Sequence, residues 1–100
     1  MSALLTNAFS KLYWSVQRPH PAIEYADLDG TNRATFALEN VYEPSSLVVD
    51  EPNKRVYWTD AQKGTIESAG LDGRRRRVVR KYGYQGKAIL LKIKRDSQFH

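Results

Sequence analysis

Arg55-Val56-Tyr57-Trp58-Thr59-Asp60, followed by Thr65-Ile66-Glu67-Ser68-Ala69-Gly70 and Leu71-Asp72-Gly73, decides the reading, because much of it occurs twice. Leu12-Tyr13-Trp14-Ser15 is matched by Val56-Tyr57-Trp58-Thr59, 44 residues later. Ile23-Glu24 returns as Ile66-Glu67 and Leu28-Asp29-Gly30 as Leu71-Asp72-Gly73, both 43 residues later. The one-residue change of offset falls between Val16–Pro21 and Asp60–Gly64, and insertions in repeat arrays belong in loops. Backwards in the same register, Ser46-Leu47-Val48-Val49 falls on Ser2-Ala3-Leu4-Leu5, so the first copy begins close to Met1. A period in the low forties suits four short strands with their turns.

Local patterning gives strands throughout. Ala3–Thr6 and Leu47–Asp50 are short apolar runs bounded by turn residues. Lys11–Ser15 and Arg55–Thr59 mix aromatic with β-branched residues, which suit a pleated surface. Ala22–Leu28 and Thr65–Leu71 alternate, and Asp29-Gly30 and Asp72-Gly73 then supply tight hairpins that tolerate positive φ. Arg33–Leu38 and Arg76–Arg80 complete each set, and helix is expected nowhere.

With these motifs in order, the chain resembles the YWTD repeat, the class B repeat of low-density-lipoprotein-receptor-like proteins. Tyr57-Trp58-Thr59-Asp60 carries the full signature, preceded by Pro44–Asp50 and followed by Ile66-Glu67 and Leu71-Asp72-Gly73. The resemblance covers residues 2–81, although the first copy reads Tyr13-Trp14-Ser15-Val16 and so departs from the signature. It implies an all-β fold: two four-stranded antiparallel blades of a six-bladed YWTD-type β-propeller, incomplete, with a basic C-terminal tail. The expected division is 1–43 for the first blade, 44–81 for the second, and 82–100 for the tail. Gly86–Ile93 in that tail resembles the opening strand of a third blade. A blade needs neighbours to cover its broad faces, so a pair alone leaves outer apolar surface wet. Further blades or self-association are therefore expected, three copies of two blades making six.

Composition agrees with a small globular domain rather than a disordered chain, at 41% hydrophobic and 27% charged residues. Of the sixteen Lys and Arg, only Lys11, Arg18 and Arg33 precede residue 51, and they sit beside most of the acidic groups. Cysteine is absent, which excludes disulfides and thiolate metal sites. Met1–Asn7 has no basic n-region or long apolar stretch of a secretory signal, and no run approaches the ~20 apolar residues of a membrane span. No cofactor is expected.

The chemistry-bearing residues read mostly as structural. The resemblance implies that Asp60 is a hydrogen-bonding post within its blade rather than a catalytic acid, and that Tyr13, Trp14, Tyr57, Trp58 and Thr59 build the packing. Thr6 stands where Asp50 stands in the second copy, which argues against a converging carboxylate set for a metal. His20, between Pro19 and Pro21, reads as a surface contact, and no nucleophile elbow or phosphate loop accompanies it or His100. Arg74-Arg75-Arg76-Arg77 reads as a hairpin turn with its guanidinium groups in water, because Thr31-Asn32-Arg33-Ala34 occupies the same place in the first copy. A heparin or nucleic-acid contact, a nuclear-localisation run and a processing site are the competing readings of that run, and no nucleic-acid partner is expected.

Rigid blades present ligands with the loops at one end of their strands. Here those loops hold Arg18 and His20, Gln62 and Lys63, and between the copies Asn40, Tyr42 and Glu43. Both charge signs beside an aromatic ring suit a protein ligand. The resemblance implies an extracellular receptor module that binds proteins in endocytosis or signalling, without catalysis. The alternatives are a lactonase-like propeller hydrolase and a truncated product with no activity of its own.

Overall fold

The computed structural model describes the backbone of residues 2–5 and residues 11–81 in full. The tail 82–100, with its suggested third-blade strand and His100, and Thr6 lie outside the described residues. Eight strands follow in chain order: β1 (Ser2–Leu5), β2 (Lys11–Val16), β3 (Ala22–Asp27), β4 (Ala34–Ala37), β5 (Pro44–Asp50), β6 (Arg55–Asp60), β7 (Thr65–Gly70) and β8 (Arg77–Lys81). They form two antiparallel four-stranded sheets, ordered β1-β2-β3-β4 and β5-β6-β7-β8. This is the expected all-β arrangement of two meandering blades.

The repeat is preserved in the registers. Tyr13 pairs with Tyr25 and Trp14 with Glu24 in the first sheet; Tyr57 pairs with Ser68 and Trp58 with Glu67 in the second. Even the irregularities recur, with a register shift at Ile23/Glu24 and again at Ile66/Glu67. Matched sequence therefore produces matched hydrogen bonding, down to the bulge that bends the outer strand.

The hairpins after β3 and β7 are longer than the tight turns expected from Asp-Gly. Gly30 and Gly73 take φ of 87° and 86°, and a second left-handed residue follows each: Asn32 at 56° and Arg75 at 55°. The aspartates do not take positive φ; they lock the turn from the side. Asp29 Oδ1 accepts from the Thr31 amide at 2.9 Å, and Asp72 Oδ1 from the Arg74 amide at 2.9 Å. Such side-chain-to-backbone bonds two residues ahead are what Asp offers a turn.

The core lies between the sheets. Tyr13, Ile23, Phe36 and Ala37 of the first meet Val56, Trp58 and Ala69 of the second, with Val41 of the connecting segment. Phe36 is the junction: its ring stands edge-on to Tyr13, Tyr25 and Trp58 at centroid distances of 5.3, 5.5 and 6.1 Å. Edge-to-face pairs of this kind add about 0.5–1.5 kcal/mol each beyond area burial. A hydrogen bond from the core also joins the sheets. The Tyr13 hydroxyl donates to the Leu71 carbonyl of the second sheet's hairpin at 2.7 Å. Burial, with the neighbouring Tyr25 and Asp72, pushes that hydroxyl's pKa up to about 12, so it remains a donor. Gly73 lies against the Phe36 carbonyl so closely that an added Cβ would stand 2.7 Å from it.

The expectation of wet outer faces holds only in part. Val78 and Val79 of β8 are exposed. By contrast Ile66 and Ser68, which alternate away from the first sheet, are as buried as their neighbours. Over Ser68 the reason is visible: the Arg55 side chain lies across it and donates to its hydroxyl from Nε and Nη2 at 3.1 and 2.9 Å.

Candidate ligand-binding rim

The loops β2–β3, β4–β5 and β6–β7 fall at one end of the antiparallel sheets, and hydrogen bonds tie them together. Gln17 Nε2 donates to the Pro44 carbonyl at 2.9 Å, and the Ala61 amide to the Glu43 carbonyl at 2.9 Å. Lys63 Nζ donates to the Asn40 carbonyl at 2.9 Å. Asp60 is the hub. It is fully buried, and its Oδ2 accepts from the Tyr42 amide at 2.8 Å while Oδ1 accepts from the amides of Glu43 and Lys63, both at 3.1 Å. A carboxylate closes this arrangement because three N–H donors need an acceptor with no hydrogen of its own. Val16 fills the equivalent place in the first sheet and offers no acceptor.

The rim residues divide by exposure. Arg18, His20, Glu43 and Gln62 are exposed, and the Tyr42 ring is 48% accessible. Lys63 is different. Its ammonium lies 5.9 Å from the centre of the Tyr42 ring and bonds Glu67 Oε2 at 2.7 Å, so it braces the rim from within. Thr59 also points inward, where its hydroxyl exchanges a 2.8 Å bond with Ser45 and accepts from the Ser46 amide at 3.1 Å.

Behind the rim lies a network that sequence reasoning missed. Glu67, with a side chain only 2% exposed, receives Arg76 Nη2 and Nε on Oε1 at 2.8 and 3.1 Å. Its Oε2 receives Lys63 Nζ and the Thr65 hydroxyl at 2.7 and 3.0 Å. Burial acts to raise the Glu67 pKa, but the bonds from Lys63, Arg76 and Thr65 outweigh it and hold the carboxyl below its ordinary value. The Arg76 guanidinium also lies 5.2 Å from the centre of the buried Trp58 ring and reaches the carbonyls of Glu39 and Asn40.

This corrects the reading of Arg74–Arg77 as four solvated guanidinium groups. Arg74 is 85% exposed, but Arg76, the last residue of the turn before β8, is largely covered, its guanidinium lying against Trp58 and Glu67. The repeat held the signal. Glu24 and Arg33 precede Glu67 and Arg76 by the same 43 residues, and Arg33 lies 5.2 Å from the centre of the Trp14 ring and 2.7 Å from Glu24 Oε1. Trp14 Nε1 donates to the same Glu24 oxygen at 3.1 Å, whereas Trp58 Nε1 has no partner among the described residues.

Among the described residues no group of three or more His, Asp or Glu converges as a metal site, and no helix is long and apolar enough to cross a membrane. Tyr57 is half-buried, and Asp29 and Asp72 remain in their turns, away from the rim.

Comparison with known proteins places these features. The family model described as low-density lipoprotein receptor repeat class B matches residues 10–51 and 54–80. The vitellogenin receptor of Solenopsis invicta is 44% identical over 69 residues, 69% of this chain and 4% of the receptor. Protein cueball of Drosophila yakuba is 41% identical over 75 residues, covering 71% of this chain and 12% of cueball. The chain thus spans a small part of the length of these relatives. A chain in the crystal structure of a nidogen/laminin complex superposes with a TM-score of 0.69 at 31% identity, covering 74% of this chain and 28% of that one. With two YWTD-type blades on the page and most of its length matched, the chain belongs to the low-density lipoprotein receptor class B repeat family.

Proposed function

We propose that this chain is a protein-binding part of an extracellular, receptor-like propeller, and that the rim of Arg18, His20, Tyr42, Glu43 and Gln62 is its ligand-facing surface, with Lys63 bracing it. The observation that carries the reading is Asp60, whose bonds fix Tyr42, Glu43 and Lys63 relative to each other before any ligand arrives. Preorganised anchors avoid the ordering cost that a mobile loop would incur on binding. A half-exposed tyrosine and an exposed arginine on loops at the same end of the sheets are the residue types of protein hot spots. The names of the relatives, a vitellogenin receptor and a nidogen/laminin complex, support a protein as the ligand. Endocytosis or signalling would follow from the receptor that carries the blades. The division at residues 43 and 81 belongs to the same proposal, as does packing against further blades or copies.

The test is a display library of secreted proteins screened against the intact chain, with Tyr42→Ala, Arg18→Ala and a control at Lys54 on the far end. Binders lost in the two rim variants and kept by the control support the rim. Binders indifferent to Tyr42 and Arg18 reject it. Sedimentation equilibrium over micromolar concentrations tests association separately, and a folded monomer throughout would reject it.

A further inference from the structure

At the end of the sheets opposite the rim, a cleft of about 430 Å³ opens between the hairpins. Its lining includes Lys11, Lys54, Arg75, Asp72 and the ring of Tyr25. The three cations come from separate elements: the start of β2, the β5–β6 turn and the β7–β8 turn. Asp72 offsets part of this charge, and Asp27, bonded to Lys11 at 2.5 Å, offsets more. Arg74, outside the lining, pairs with Asp72 at 3.9 Å, so that carboxylate is shared between the cleft and the turn.

The backbone singles out two of these cations. Lys54 and Arg75 both stand in the left-handed region, at φ of 56° and 55°. Long side chains seldom occupy that region, which favours Gly and Asn. The chain has the favourable solution at hand: Asn32 occupies the position equivalent to Arg75 at φ 56°. Lys54 and Arg75 bring two such positions to one cleft, and strained positions of this kind cluster where ligands bind.

We propose that this cleft binds a linear sulfated polysaccharide. Guanidinium pairs with sulfate oxygens through two parallel bonds, and Lys54 supplies a point charge beside it. The half-buried Tyr25 ring, stacked on Tyr13 at 5.6 Å and with the Lys11 ammonium 5.9 Å from its centre, adds an aromatic edge beside the cations for a sugar ring. A single accessible ring is poor for a nucleic-acid strand, which uses a series of stacking platforms. This site lies at the other end of the blades from the rim and does not depend on the rim reading.

The experiment uses the full chain and a heparin dodecasaccharide in titration calorimetry. The variant is Lys54→Asn with Arg75→Asn, two changes that suit the left-handed backbone and so preserve the fold. Affinity is expected to fall about tenfold or more, and the dependence of log K on log salt to lose about two units of slope. The same variant is expected to melt at least as high as the parent, separating a binding role from a structural one. Arg18→Gln, at the rim, leaves heparin affinity unchanged. Equal heparin affinity in the double variant overturns the proposal. So does equal binding of the parent to desulfated heparin, to poly-glutamate or to single-stranded DNA.

Discussion

Replacing Glu67 by Gln takes one acceptor oxygen from a carboxylate that uses both. Oε1 serves Arg76 and Oε2 serves Lys63 and Thr65, so whichever way the amide turns, its NH2 group faces donors. Either Arg76 or the Lys63–Thr65 pair then loses its partner beside a carboxamide only 2% exposed in its parent form. Removing one member of a buried ion pair costs about 3–5 kcal/mol. Lys63 and Arg76 are each 24% exposed and recover some hydration, which lowers the expected loss to about 2–4 kcal/mol. Glu24→Gln is the internal control. Glu24 uses only Oε1, toward Trp14 and Arg33, and Arg33 is 64% exposed. The amide oxygen can take over all of those bonds, so the loss stays within about 1 kcal/mol. Urea denaturation of the parent and both variants, with the slopes compared, measures the difference. A Glu67→Gln loss no larger than that of Glu24→Gln would refute the argument that the buried double acceptor organises the second blade.

Three further outcomes follow from the same geometry. The Glu67 contribution is pH-dependent: its folded pKa is depressed, so the contribution is full above the ordinary value of 4.5 and is lost as pH falls through the lower folded pKa. The denaturation gap between parent and Glu67→Gln should therefore hold above the ordinary carboxyl value of 4.5 and narrow as the pH falls below it. Gly73→Ala should cost about 2–4 kcal/mol, since left-handed strain adds to collision with the Phe36 carbonyl, while Gly30→Ala, with open space around it, should cost about 1–2 kcal/mol from strain alone. Thermal melts rank the two, and equal losses would mean the hairpin does not press on the first sheet. Asp60→Asn turns an N–H against at least one of three backbone donors and should cost about 2–3 kcal/mol, with faster hydrogen exchange at the Tyr42 and Lys63 amides; unchanged exchange there would mean that Asp60 does not hold the rim.

The strands were legible because two independent signals agreed: alternation within each segment and the 43- or 44-residue self-match. Self-comparison finds only what is repeated, which explains what it missed. Phe36 aligns with Val79, and Tyr25 with Ser68, so the aromatic junction between the sheets lies on positions where the copies differ. Arg76 was hidden for the opposite reason. Its match to Arg33 was present, but four consecutive arginines share one identity, and only the folded turn before β8 distinguishes the member that turns inward. The rim loops could be located by topology alone. That Lys63 braces them rather than facing outward depends on Glu67, a partner on the next strand whose burial no local pattern announces.

The bond from Tyr13 to Leu71 has a consequence for symmetry. A hydroxyl on β2 of one sheet meets a hairpin carbonyl of the other, so the two surfaces in contact are different surfaces. A contact with a distinct head and tail cannot place two copies about a two-fold axis, where each surface must meet itself. Units joined by it advance by the same rotation at every step, each offering its tyrosine face to the next one's hairpin. Such a series closes when the rotation divides a full turn, and otherwise winds on as a helix. Which face of a blade leads and which follows in any such series is thus already fixed by which strand carries the tyrosine.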